Sequence, residues 1–157
     1  MGSPVRTTVP RTSLERDDVD LSFAASAAIG RDGAVAGSAI GQGFQGDGTL
    51  FGVDGRMTSG RLLVAGEAII GDFDPVAGGS MDASGLYLTA GWMAAENRQV
   101  LVRWDRYRAI GATSDDAIVF GFNAWPTTAS EIQINWIAPI SGSTMPHKVL
   151  VNFQVGF

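Results

Sequence analysis

The residues able to do chemistry come first. Gly41-Gln42-Gly43-Phe44-Gln45-Gly46 has the G-x-G-x-x-G spacing of a dinucleotide loop. That loop works only when a helix follows and turns its amide N–H groups on the pyrophosphate. Asp47-Gly48 and an alternating stretch follow instead, so no cofactor is expected. His147 is the only histidine and cysteine is absent, so no His/Cys metal cluster can be assembled and no metal is expected. Asp72, Asp74, Asp115 and Asp116 could offer oxygens to calcium, but none has EF-hand spacing; solvated loop acids are expected. The serines would have to share His147 as their base, and no triad can be drawn around it. Arg31-Asp32-Gly33 reads as turn chemistry. Nothing here points to an enzyme.

What remains is a distributed set of polar side chains at alternating positions: Asp54, Arg56, Glu67, Tyr87, Arg103, Asp105, Asn123, Glu131, Gln133, Asn135, Lys148, Asn152 and Gln154. Side chains two apart on a strand share a face. These residues are therefore expected to line one polar face, as the wall of a wet lumen whose charges tune ion passage. Cross-strand ion pairs that only hold register would look the same in sequence.

The elements that must position them are strands. In Lys148–Phe157, Val149, Val151, Phe153, Val155 and Phe157 alternate with Lys148, Leu150, Asn152, Gln154 and Gly156. One face is apolar; the other is polar or small, with Leu150 the exception. Earlier stretches repeat the pattern. Leu21, Phe23, Ala25, Ala27 and Ile29 share a face, and Gly30-Arg31-Asp32-Gly33 is expected to turn a hairpin. A second segment, 34–44, is ambiguous in its facing. Phe51, Val53 and Met57 oppose Asp54 and Arg56; Leu62, Val64, Ala68 and Ile70 oppose Glu67; Leu86, Leu88 and Trp92 oppose Tyr87 and Thr89. Val100, Val102 and Trp104 oppose Arg103 and Asp105. Ile118, Phe120 and Phe122 oppose Asn123. Ile132, Ile134 and Trp136 oppose Glu131, Gln133 and Asn135. Residues 1–18 are polar and read as a loop or flexible arm, and 19–157 as strands.

Composition narrows the class. The chain has 157 residues, 45% hydrophobic, with 21 glycines and a net charge of −5. Mean hydropathy is +0.14, too apolar for disorder. No apolar run reaches the ~18 residues of a transmembrane helix. A transmembrane barrel hides its membrane character because every second residue faces the lumen. The acidic balance excludes a nucleic-acid partner. No apolar core of a signal peptide follows Met1, so a mature chain or a fragment is expected.

The expectation is an all-β fold: an antiparallel up-and-down transmembrane β-barrel of about nine strands, each near the length that crosses a bilayer. Connections at 30–33, 58–61, 94–98 and 126–130 are tight; those at 43–48, 71–83, 109–116 and 141–147 are longer. Outer-membrane barrels have short periplasmic turns and long outer loops. Counting back from a periplasmic Phe157, an odd number of strands places the first strand's start outside, as in a chain lacking its beginning. Phe51, Trp92, Trp104, Trp136, Phe153 and Phe157 are expected to form membrane-facing aromatic girdles. The location is then a bacterial, Gram-negative outer membrane, with lipid and lipopolysaccharide as partners. The core of a soluble β-sandwich would show the same inward faces but leaves the two loop classes unexplained.

The ordered run Phe51-Gly52-Val53-Asp54, Leu62 to Glu67, Leu86 to Trp92, Val100-Leu101-Val102-Arg103-Trp104-Asp105-Arg106-Tyr107 and Val149 to Phe157 resembles the C-terminal half of the phosphate-selective porin O and P family. The resemblance implies a sixteen-stranded, homotrimeric channel for small ionic solutes. It also implies that Phe153, Val155 and Phe157 signal to the barrel-assembly machinery, so deleting Phe157 should reduce insertion. The chain supplies about half of such a barrel's strands. It has one lysine, Lys148, where the phosphate-selective members present several. The alternative is a small closed barrel of about eight strands with a packed interior, structural or surface-interacting, without a conducting pore.

Overall fold

The structure, a computed structural model, describes residues 19–35, 44–76, 78–109, 112–141 and 146–156. It contains eight strands: β1 (Val19–Val35), β2 (Phe44–Ser59), β3 (Leu62–Pro75), β4 (Met81–Ala95), β5 (Arg98–Arg108), β6 (Asp115–Thr127), β7 (Ser130–Ser141) and β8 (Lys148–Val155). They form one sheet in chain order, every pair antiparallel. The described residues contain no helix.

Eight strands lie among the described residues, against about nine expected. Gly30-Arg31-Asp32-Gly33 turns no hairpin; β1 runs on to Val35. Gly30 pairs with Gly48 and Gly33 with Gly46, so Arg31 and Asp32 together oppose Asp47 alone. That is a β-bulge: the extra residue is absorbed and the strand continues. Of the segment expected at 34–44, Ala34 and Val35 end β1, Phe44 begins β2, and 36–43 lie outside the described residues. From Phe44 on, the loop expected at 43–48 is strand, and Gly41 to Gly43, half of the G-x-G-x-x-G stretch, lie outside the described residues. The part that is described, Phe44 to Gly46, is strand and not the helix a pyrophosphate needs.

The two loop classes persist. Gly60-Arg61, Glu96-Asn97 and Thr128-Ala129 are two-residue turns at one rim. Gly60 has φ +53, the left-handed conformation that glycine adopts without the steric cost of a Cβ. At the third turn the Thr127 hydroxyl accepts from Ala129 N at 3.2 Å and lies 2.8 Å from the Ser130 hydroxyl. The longer connections lie at the opposite rim. With eight strands, Val19 and Val155 both lie at the tight-turn rim, where Val19 pairs with Ser59 and Val155 with Ser130. The first strand thus starts at the rim of the tight turns, and not at the rim of the longer connections where an odd count would put it.

The strands are staggered. Val19 is level with Ser59, Leu62, Trp92, Val100, Phe122, Ile134 and finally Val151 along successive pairings. Val19 begins β1, whereas Val151 is central in β8. Strand mid-points thus slip by about eight residues over the seven steps. At ~3.3 Å per residue and ~4.8 Å between strands this is a slant of roughly 40°. Strands in closed barrels tilt by a similar ~35–45°. The sheet itself is open, since no contact joins β1 to β8.

Candidate functional site

Alternation sorts the polar residues onto one face, and the register sets them side by side. Asp54 pairs with Glu67, Glu67 with Tyr87, and Tyr87 with Asp105. Arg103 pairs with Val119, Asn123 with Gln133, and Gln133 with Asn152. Glu131 pairs with Gln154, Asn135 with Leu150, and Lys148 with Ile137. The thirteen expected lining positions therefore share a face.

That face is concave. Among the described residues every buried one lies on it: Gly46, Gly52, Gly71, Phe73, Thr89, Gly91, Gln99, Val119, Gly121, Asn123, Trp125 and Glu131. Among the described residues nothing packs on either side of this single-layer sheet, so they lose exposure on the inside of its curl. A cavity of about 220 Å³ on this face takes lining residues from five strands, Thr89 on β4 to Leu150 on β8.

Electrostatics divide the face. Arg103 donates from Nη2 to Asp105 Oδ2 at 2.9 Å, with Nε 2.8 Å from Oδ1, and its guanidinium lies 5.6 Å from the Tyr87 ring centroid. From β6 to β8 carboxamides are interspersed with the charged Glu131 and Lys148. Asn123 Nδ2 donates to Gln99 Oε1 at 3.1 Å, and Gln133 Nε2 donates to Glu131 Oε1 at 2.8 Å. Sequence reasoning did not single out Trp125, Leu101 or Val119 for this face, although their odd numbers place them with Asn123 and Arg103. Trp125 is 6% exposed, and its indole N–H has no acceptor. Bulky apolar character hid these residues; parity was the signal.

The reverse face is apolar and uncovered. Phe23 is 76% exposed, Val151 69%, Phe153 63% and Trp92 50%. Five of the six expected girdle aromatics, Phe51, Trp92, Trp104, Trp136 and Phe153, lie on it by register; Phe157 falls outside the described residues. Trp136 stacks on Phe120 with ring centroids 5.5 Å apart, and His147 stacks on Trp136 at 5.7 Å.

Charge bounds this apolar band at both rims. Toward the long loops the same face carries Asp72, Asp82, Arg106, Arg108 and Asp116. Arg106 makes a two-pronged pair with Asp116, at 2.8 and 2.9 Å. Arg108 pairs with Asp82, and the Ser141 hydroxyl donates to Asp116 at 2.8 Å. The Arg106 guanidinium also lies 5.3 Å from the Trp104 ring centroid, at the junction of band and collar. Toward the tight turns the face ends at Arg61, Glu96 and Arg98. Eight residues separate Arg98 from Arg106, and eleven separate Arg61 from Asp72. Corrected for the slant, both spans are about 20–30 Å of apolar height. The hydrocarbon layer a barrel crosses is of that order, ~25–30 Å.

No family model matches the chain, and no curated protein or solved structure matches it. No helix among the described residues is long and apolar enough to cross a membrane. No group of three or more His, Cys, Asp or Glu among the described residues is placed to hold a metal.

Proposed function

We propose that the chain forms the wall of an outer-membrane porin-like channel, a polar path through an apolar slab for passive diffusion of small polar or ionic solutes. The observation that carries this reading is the apolar band, uncovered, bounded by charge at both rims, and backed by a concave polar face. In water such a band is an aggregation liability. In lipid it is the surface that makes burial favourable, at ~25 cal/mol per Å². The free edges of β1 and β8 support the same reading in one respect. A bilayer supplies no hydrogen bonds to an open edge, so a spanning sheet must be completed into a closed barrel.

Lipid and lipopolysaccharide would contact the band, and Trp92, Trp104 and Trp136 would act as interfacial anchors. Phe153 and Val155, with Phe157, would present the terminal strand to the assembly machinery. Membership of the phosphate-selective porin O and P family and a trimeric assembly are part of this proposal. Planar-bilayer recording tests it: stable single-channel steps from the purified chain are expected. A protein that inserts yet never conducts would rule the channel out.

One observation favours a second reading. An even number of strands, with β1 antiparallel to β8, is what a small eight-stranded barrel without a pore requires. Against it, the interior of an eight-stranded barrel is filled by side chains. The polar face carries Asp54, Glu67, Asp105 and Glu131 with Arg56, Arg103 and Lys148, and taking charged groups out of water into a dry interior is costly even when they are paired. A wet, wider lumen avoids that cost.

A further inference from the structure

We propose that the hollow on the polar face between Thr89 of β4 and Leu150 of β8 is a binding site for a small neutral polyhydroxylated solute of monosaccharide size. The proposal rests on the channel reading and names a solute class for it.

Two of the side chains that line the hollow, Leu101 and Asn135, lean over Gly121, where β6 has no side chain. A Cβ on Gly121 would lie 2.6 Å from Leu101 Cδ1 and 2.7 Å from Asn135 Oδ1, so a larger residue there would displace these two side chains and reshape the hollow. Its volume, about 220 Å³, is below the ~300–1,000 Å³ of sites for drug-sized ligands. It suits a compact solute.

The lining sets the chemistry. Arg103 is the one charged group that lines the hollow, and Asp105 already compensates it. An anion would compete with that carboxylate, and a cation would meet a guanidinium. The remaining polar groups are Thr89, Asn123, Gln133 and Asn135. Asn123 and Gln133 have each committed an amide N–H, to Gln99 and Glu131, which leaves their carbonyl oxygens facing other partners. The Asn135 carboxamide, donor and acceptor together, makes no hydrogen bond to another described side chain. A carboxamide both donates and accepts. The ligand group with the same double character and no charge is the hydroxyl. Leu101, Ile137 and Leu150 supply an aliphatic wall for the C–H face of a sugar ring. Leu150, the one large apolar residue on an otherwise polar strand face, thereby acquires a role.

The test uses the full chain in a planar bilayer, with potassium chloride current titrated by glucose, glycine or inorganic phosphate. Glucose is expected to reduce the current saturably, at a concentration at least tenfold below that of either comparator. Asn135→Leu should raise the half-blocking concentration about tenfold, the effect of losing hydrogen bonds worth ~1.4 kcal/mol. Gly121→Ala should abolish block. If Gly121→Ala does not fold, Asn135→Leu decides alone. Stronger block by phosphate or glycine, no glucose effect on a conducting channel, or an unchanged titration in Asn135→Leu would each overturn the site. If the inserted chain passes no current, the channel reading falls separately. Glucose titration in detergent, followed by the NMR signal of the Asn135 carboxamide, then tests the hollow: a saturable shift supports it and none overturns it.

Discussion

Gln99 and Asn123 are both buried, and they satisfy each other across β5 and β6. Truncating Asn123 to Ala leaves the Gln99 oxygen buried without its donor. A loss of about 1–3 kcal/mol is expected, read as a lower midpoint in urea unfolding of the lipid-inserted protein. Gly121→Ala acts by volume, since Leu101 and Asn135 must give way; overpacking of this kind costs about 1–3 kcal/mol. The same unfolding measurement checks it, and an unchanged midpoint would mean that the neighbours relax freely. At this scale the charged lining residues were legible from residue type and alternation. Trp125 and Leu101 were not, because an apolar residue on a polar face carries no sign of its exception until neighbouring strands are registered against it.

Along a strand the two faces make opposite predictions for one substitution. Val102 lies on the apolar face of β5, 41% exposed, between the Arg98 and Arg106 ends of the band. Val102→Arg should cost about 2–4 kcal/mol in lipid vesicles, as arginine does near a bilayer midplane. Asn152→Arg, on the polar face of β8, should change stability by under about 0.5 kcal/mol. Equal effects in urea titrations of the two variants would remove the lipid belt. Element boundaries were less legible than element faces. Asp32-Gly33 has hairpin chemistry, yet β1 passes through it, because pairing with Gly46 and Gly48 of β2 outweighs a local turn preference. Turn chemistry is local, whereas strand continuity depends on a partner more than ten residues away.

The described residues form one open, slanted, curled sheet with β1 and β8 at its edges. Continuing the stagger one step past β8 brings Gln154 close to Ser26 of β1, on the same polar face. The natural chain has no cysteine, so the double variant Ser26→Cys with Gln154→Cys reports closure cleanly. Under the channel reading the lumen is wider than eight strands enclose, and oxidation of the folded protein should yield no disulfide within one chain. A near-quantitative internal disulfide, seen as a faster band on a non-reducing gel, would favour the small closed barrel.

The sequence by itself determined the β class, the polar and apolar faces and the two classes of connection, because period-two alternation and turn residues act within a few positions. Only the tertiary structure decided the number of strands, the stagger, the concavity of the polar face and the hollow between Thr89 and Leu150. Each of these depends on which residue of one strand stands opposite which residue of the next, and backbone pairing across the sheet sets that.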